Sequence, residues 1–349
     1  ELGGHIDECG ECGHIEISYN SCRNRHCPKC QTFAKEKWID ARKEDLLPVP
    51  YFHIVFTVPE ELNSIIYQNQ KEIYSIFFRA VSETLSELAS DPRYLGAQIG
   101  FTTILHTWGQ NLMYHPHIHC IVPSGGLRKE GQFIKGKDKF FIPIRVLSQK
   151  FRGKFLAFLD KAYMDEKLKF HDSTREFENS QNFFLLKDSL FRKDWVVYCR
   201  ETFNGPGAVI EYLGRYTHRV AISNNRILKL ENDKVTFKWK DYRDEKEKIM
   251  VLHVYEFIRR FLMHVLPCGF MKIRHYGLLS NRNRNTKLRY CQKVVGYIVA
   301  KARLKDLCAV EILKLLTGKD VTICPSCGEG RMRTKQVFHK GSKSPPLAI

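Results

Sequence analysis

The sequence predicts an α+β protein: an antiparallel sheet covered by helices, preceded by a metal-binding module and followed by a basic helical region. Three observations lead there. β-type runs at 51–58, 99–107 and 117–122 flank one long stretch of helical periodicity; five cysteines crowd between Cys9 and Cys30; and Lys and Arg dominate the last third.

The cysteines come first. Twelve in 349 residues, clustered and without a secretory segment, point to metal rather than a disulfide scaffold. Cys9-x-x-Cys12 and Cys27-x-x-Cys30 are two knuckles fourteen residues apart, and together they are expected to close one tetrahedral zinc site. Cys22 and His26 lie in the same stretch, which leaves open a different set of four or a second ion. Arg23, Arg25, Lys29, Lys35 and Lys37 surround the module and suit contact with a DNA backbone. Cys324-x-x-Cys327 is half of a further knuckle and a candidate for a second zinc, its remaining ligands sought in His339 or in a distant Cys such as Cys268, with an incomplete site as the alternative.

The sheet follows. Phe52, Ile54, Phe56 and Val58 alternate with the other phase of a strand that Pro59 ends. Leu62, Ile65, Ile66, Ile73, Phe77, Val81, Leu85 and Leu88 then recur mostly at helical spacing, giving one apolar face to lay on that sheet. Residues 99–107 and 117–122 read as a hairpin. Period-two geometry turns His117 and His119 to one face of its second strand, their Cα atoms about 6 to 7 Å apart, a reach that suits one divalent ion. His106 on the partner strand is the expected third ligand, with Gln110 as the alternative. Three imidazoles leave coordination positions open, as a catalytic metal requires.

Tyr212 and Tyr216, four residues apart, share one face of a helix that Gly205-Pro206-Gly207 introduces, and Arg215, His218 and Arg219 place positive charge beside them. Net charge reinforces the direction: 56 Lys and Arg against 38 Asp and Glu give +18, which gathers polyanions. From Lys272 to Lys305 there are ten basic residues and no acidic one, interleaved with Tyr276, Tyr290 and Tyr297. Lys272, Arg274, Arg282, Arg284, Lys287 and Arg289 are the expected phosphate contacts, with the aromatic rings stacking on unpaired bases. No run approaches the roughly 18 apolar residues of a membrane span.

Four ordered motifs carry a family resemblance. Leu105-His106-Thr107-Trp108-Gly109-Gln110, His115-Pro116-His117-Ile118-His119-Cys120, the segment from Tyr212 through Tyr216 to Ser223, and Ser21-Cys22-Arg23-Asn24-Arg25-His26-Cys27-Pro28-Lys29-Cys30-Gln31 resemble the two-tyrosine HUH transposases of the insertion-sequence-ninety-one type. Ile273-Arg274-His275-Tyr276-Gly277 is similar to a further signature of that family. The resemblance implies an HUH palm, a ferredoxin-like or RRM-like antiparallel sheet with helices. It also implies rolling-circle transposition in which Tyr212 or Tyr216 attacks single-stranded DNA to form a 5′-phosphotyrosine. The cofactors expected are Mg²⁺ or Mn²⁺ at His117 and His119, with the third ligand, which the resemblance does not fix, assigned to His106 from hairpin geometry, and structural Zn²⁺ at the cysteines. The partners implied are single-stranded DNA, hairpins at transposon ends and target DNA, in a bacterial cytoplasmic, nucleoid-associated setting. A replication initiator or relaxase would share this chemistry, whereas a zinc-dependent DNA-binding regulator would not cut.

The organisation expected is a zinc module over residues 1–48, ending at Pro48-Val49-Pro50, and a nuclease unit over 49–250 with an insertion at 125–204 that holds a helix over 148–168. A hairpin of 226–230 and 235–239 follows, then a basic helical region over 251–318. A knuckle and flexible tail complete the chain over 319–349.

Overall fold

A computed structural model describes every residue except 1, 23, 28–29, 137–141, 202–206, 208–209, 211–213, 215–220, 242–243 and 342–349. In chain order its strands are β1 (Gly4–Cys9), β2 (Ile15–Tyr19), β3 (Tyr51–Thr57), β4 (Gly100–Trp108), β5 (Tyr114–Pro123), β6 (Gly125–Leu127), β7 (Phe133–Lys135), β8 (Val197–Glu201), β9 (Ile227–Glu231), β10 (Lys234–Lys240), β11 (Glu247–His253), β12 (Ile273–Gly277) and β13 (Met332–Phe338). The principal helices up to residue 192 are α1 (Gln31–Lys43), α2 (Asn63–Gln68), α3 (Gln70–Ser90), α4 (Ile144–Met164) and α5 (Ser180–Arg192).

Five strands form the central sheet in the order β12-β4-β5-β3-β8, with every neighbour antiparallel. The expected strands all appear, each within a few residues of its predicted bounds, because their alternation matches a sheet with two unlike faces. One face carries Phe52, Ile54, Phe56, Phe101, Leu105, Ile118 and Val122 into a core shared with α3 and α4. Aromatic packing joins those helices: the rings of Phe77 and Phe151 lie 5.5 Å apart and both side chains are fully buried, each contributing about 2 to 3 kcal/mol by leaving water. Residues 125–204, set apart in the sequence as an insertion, thus supply part of the main core through α4 and the edge strand β8. Among the described residues, no helix is long and apolar enough to cross a membrane.

The opposite face is covered by different elements. Ile104, Ile121 and Tyr51 pack there with Ile39 of α1, Ile210, Leu278, Leu288 and Cys291. The basic stretch 272–305 contributes to this layer rather than standing free as a helix. Residues Ile273–Gly277 are the edge strand β12, and the acids that balance the stretch come from α1 and its end. Arg284 pairs with Asp45 at 2.5 Å, Asp40 accepts the backbone N–H groups of Arg303 and Leu304, and Glu44 accepts that of Ala302. Sequence distance hid this neutralisation.

A second sheet, β11-β10-β9, packs Val235 and Phe237 against Leu112, Ala221 and Ile222 beside the β4–β5 turn. Residues 251–253 belong to β11 and the helix begins only at Val254, where the apolar-basic run had suggested a helix from 251 onward. Arg226 donates to the Gln110 carbonyl at 2.6 Å, Arg260 to that of Asn111 at 3.2 Å, and His264 Nε2 to that of Leu112 at 3.1 Å, so three side chains fix the turn. The third sheet, β13-β1-β2, joins the two ends of the chain. The segment after Thr334 therefore continues as a strand to Phe338 where a flexible tail was expected. Ser344, Pro345 and Pro346 lie outside the described residues.

Candidate active site and metal centres

Strand pairing builds the histidine cluster. His106 of β4 stands directly opposite His117 of β5, and His119 lies two residues further along the same face. One ring nitrogen from each of His106, His117 and His119 falls within 4.8 Å of the others. Ring centroids are 5.4 Å apart for His106 and His117, 4.4 Å for His106 and His119, and 4.8 Å for His117 and His119. His106 and His119 are buried, and Trp108 stacks on His106 at 4.6 Å.

The remaining ring nitrogens have partners that fix tautomers. His117 Nδ1 donates to the His115 carbonyl at 2.7 Å, which leaves its Nε2 lone pair available. His119 Nδ1 lies 2.8 Å from Nε2 of His53, a β3 residue on the same face, and those rings stack at 5.0 Å with 2° between their planes. Burial pushes His117 down to about 4 and His119 well below the usual histidine range, with the neighbouring imidazoles adding to the shift for both. His117 and His119 therefore present neutral imidazoles at physiological pH, the form that ligates metal, and the three-histidine donor set fits a divalent ion. Gln110, the alternative third ligand, sits in the turn held by Arg226.

His53 was not singled out in the sequence. It occupies the phase of β3 opposite Phe52, Ile54 and Phe56, and a histidine in the non-core phase of a strand next to a His-x-His strand was the signal available.

Tyr212, Tyr216, Arg215, His218 and Arg219 lie outside the described residues, as does Arg23. Their described neighbours are informative. Ile210 is buried in the cluster containing Ile104 and Ile121, which flank the histidines on β4 and β5. Gly214 abuts Ile39 so closely that a Cβ there would overlap that side chain. Beyond the segment, Ala221 and Ile222 share a cluster with Leu112, and Trp108 packs against that cluster.

The cysteines divide otherwise than their spacing suggested. Cys9 and Cys12 gather with Cys324 and Cys327, while Cys27 and Cys30 gather with Cys22, each group having its sulfurs within 4.8 Å of one another. The single site expected from Cys9, Cys12, Cys27 and Cys30 is replaced by two clusters because β13 pairs with β1 and brings the distant knuckle alongside. Neither His339 nor Cys268 joins either group. His26 is engaged elsewhere: its Nδ1 lies 3.1 Å from Asn24 Oδ1 and its Nε2 accepts the Leu266 N–H at 3.3 Å. Four thiols, or three with a further donor, fit Zn²⁺.

The expected DNA contacts have mixed placements. Arg25 donates to the carbonyls of Leu266, Pro267 and Phe270 at 3.0, 2.6 and 2.6 Å, so its guanidinium fastens the cysteine module to the loop before β12. Burial and the adjacent Arg25 push Lys272 down to about 8. Arg274 lies over the rings of Phe78 and Phe270 at 4.2 and 5.2 Å. Arg284 is paired with Asp45, and Arg289 donates to the Glu44 carbonyl at 2.8 Å. Arg282 and Lys287 are exposed, the latter donating to Gln98 at 2.9 Å.

Comparison with known proteins adds to this geometry. Residues 100–287 match the family described as "Putative transposase", and residues 1–58 match "Transposase zinc-binding domain". The chain is 47% identical over 354 residues to "Putative transposase y4qJ" of Sinorhizobium fredii, covering 99% of this chain and 87% of that protein. It is 25% identical over 292 residues to "Transposase for insertion sequence element IS801" of Pseudomonas savastanoi pv. phaseolicola, covering 80% of this chain and 67% of that protein. It is distantly similar to a solved structure of the conjugative relaxase TrwC in complex with oriT DNA, at 14% identity and a TM-score of 0.28 over 48% of this chain and 71% of that one.

Proposed function

We propose that this chain, which belongs to the transposases of the insertion-sequence-ninety-one type and carries their zinc-binding domain, cuts and rejoins single DNA strands in rolling-circle transposition through a 5′-phosphotyrosine. The observation that carries the reading is the convergence of His106, His117 and His119 on one face of the central sheet, in a chain where Ile210, just before Tyr212, is buried in the layer on that face and Gly214, between the two tyrosines, abuts Ile39 of the same layer.

The chemistry follows from the residue types. A phenol has a pKa near 10, so attack on a phosphodiester needs help with proton loss and with leaving-group charge. Mg²⁺ or Mn²⁺, when held by His106, His117 and His119, supplies Lewis-acid polarisation of the scissile phosphate. The chain itself orients the site. The His115 carbonyl and His53 hold the rings of His117 and His119, and Trp108 braces His106. The oxygen of Tyr212 or Tyr216 forms the new ester to phosphorus, the bond to the 3′ oxygen breaks, and that oxygen leaves as a hydroxyl after gaining a proton. The ester energy is conserved, so a DNA hydroxyl can reverse the step without ATP. Two tyrosines allow two strands to be held or exchanged in turn.

The partners proposed are single-stranded DNA and hairpins at transposon ends, then target DNA, gripped by exposed basic groups such as Arg282 and Lys287 together with Arg215 and Arg219. A labelled single-stranded hairpin oligonucleotide tests the reading. The wild type should cleave it with Mg²⁺ or Mn²⁺, and the His117→Ala/His119→Ala variant should bind it yet leave it intact. Equal cleavage by that variant, or by the wild type in excess chelator, overturns the metal role.

A further inference from the structure

We infer that Cys9, Cys12, Cys324 and Cys327 form one four-thiolate zinc site that clasps the two ends of the chain together, so that the amino-terminal zinc domain is incomplete without residues beyond 318. The inference is independent of the transesterase reading.

The sulfur spacing is that of a shared ion. Cys9 Sγ lies 3.8 Å from Cys327 Sγ, and Cys12 Sγ 3.6 Å from Cys324 Sγ. A tetrahedral Zn–S bond of about 2.3 Å places ligand sulfurs about 3.8 Å apart. Each contact crosses between the two knuckles, 318 and 312 residues apart in sequence, so neither pair reflects local chain geometry.

The two knuckles are also built alike. The Cys9 N–H donates to the His14 carbonyl at 2.8 Å, and the Cys324 N–H to that of Gly330 at 2.7 Å. Gly13 and Gly328, each one residue past the second cysteine, have φ of 69° and 73°, a left-handed turn that glycine adopts without penalty, and each donates its N–H to the carbonyl of the first cysteine at 3.1 and 3.0 Å. Backbone N–H groups point at the sulfurs: Glu11 to Cys9 at 3.4 Å, Ser326 to Cys324 at 3.4 Å and Gly330 to Cys327 at 3.3 Å. Such donors offset thiolate charge.

Close approach of the halves has its own requirement. A Cβ on Gly330 would overlap the Cys9 sulfur, so only glycine lets the second knuckle seat on the first. Strand pairing sets the register, with Cys9 opposite Met332 and Gly4 opposite Phe338. Three strands stand on their own only with an apolar face to bury, and Leu2, Ile15, Tyr19 and Val337 are exposed on or beside these, so little apolar burial holds this sheet. An ion bound by four thiolates contributes the missing cohesion.

The zinc content of the full-length protein tests this by metal analysis. Cys9→Ser/Cys12→Ser and Cys324→Ser/Cys327→Ser should each remove one zinc per chain, and the quadruple variant should also remove only one. A second measurement needs no variant: during stepwise zinc withdrawal from the wild type, Cys9, Cys12, Cys324 and Cys327 should become reactive to an alkylating agent together, read by peptide mass. Unchanged zinc content in Cys324→Ser/Cys327→Ser, additive losses in the quadruple variant, or alkylation of Cys9 and Cys12 in step with Cys27 and Cys30 instead would overturn the clasp.

Discussion

His53 Nε2 sits 2.8 Å from His119 Nδ1 with only 2° between the two ring planes, so one imidazole positions another at the edge of the candidate metal site. A partner of this kind fixes the ligand's tautomer and raises its basicity, and its loss costs about 10- to 100-fold in metal affinity. His53→Ala should therefore raise the Mn²⁺ concentration that half-saturates cleavage by that factor while sparing much of the rate at saturating metal. His53→Gln, which keeps a polar group on the same face, should recover part of the affinity. An unchanged Mn²⁺ dependence in His53→Ala would show that the contact positions nothing.

A second prediction concerns acid lability. His275 Nε2 accepts from Arg42 at 3.2 Å while its Nδ1 lies 2.9 Å from Thr102 Oγ1, and burial, with Arg42 and Arg284 beside it, pushes the ring from 6.5 down to about 4. Between those values the unfolded chain binds a proton that the folded chain refuses, so stability is complete above about pH 6.5 and falls as the pH drops toward 4, at most by about 1.4 kcal/mol per unit. Urea denaturation at pH 7 and pH 5 should show a smaller loss for His275→Gln than for the wild type. Equal losses would assign the acid lability to other groups.

Arg25 separates a fastening role from a DNA-contact role. Its three carbonyl acceptors predict that Arg25→Ala lowers the unfolding free energy measured in urea by about 1 to 3 kcal/mol, without reducing the slope of DNA affinity against salt. Lys287→Ala should do the reverse, leaving stability within about 0.5 kcal/mol and flattening the salt slope by about one unit.

Gly214 offers a packing test. A methyl group there would overlap Ile39, so Gly214→Ala should destabilise the protein by about 1 to 3 kcal/mol, and adding Ile39→Val should return part of that loss. Strict additivity of the two changes would mean the residues do not press on each other.

Local pattern made much of this architecture legible. Alternation in Tyr51–Thr57, Gly100–Trp108 and Tyr114–Pro123 marked the sheet and put His117 and His119 on one face, and the hairpin put His106 opposite. What stayed hidden depended on pairings distant in sequence. The partners of Cys9 and Cys12 lie more than 300 residues away, and knuckle spacing carries no information about which half-site meets which. The basic run after Lys272 seemed unbalanced because Asp40, Glu44 and Asp45 reach it only through the fold. Residues 125–204 contain helices like any insertion would, and only the pairing of β8 with β3 makes them part of the central layer.

Denaturing electrophoresis of protein incubated with single-stranded transposon-end DNA and Mn²⁺ reads out whether DNA becomes covalently joined to Tyr212 or Tyr216. A detergent-resistant adduct is expected, its modified peptide carrying the DNA 5′-phosphate on Tyr212 or Tyr216, with complete loss in Tyr212→Phe/Tyr216→Phe. Persistence of the adduct in that double variant, or its attachment to any other residue, would contradict the phosphotyrosine chemistry.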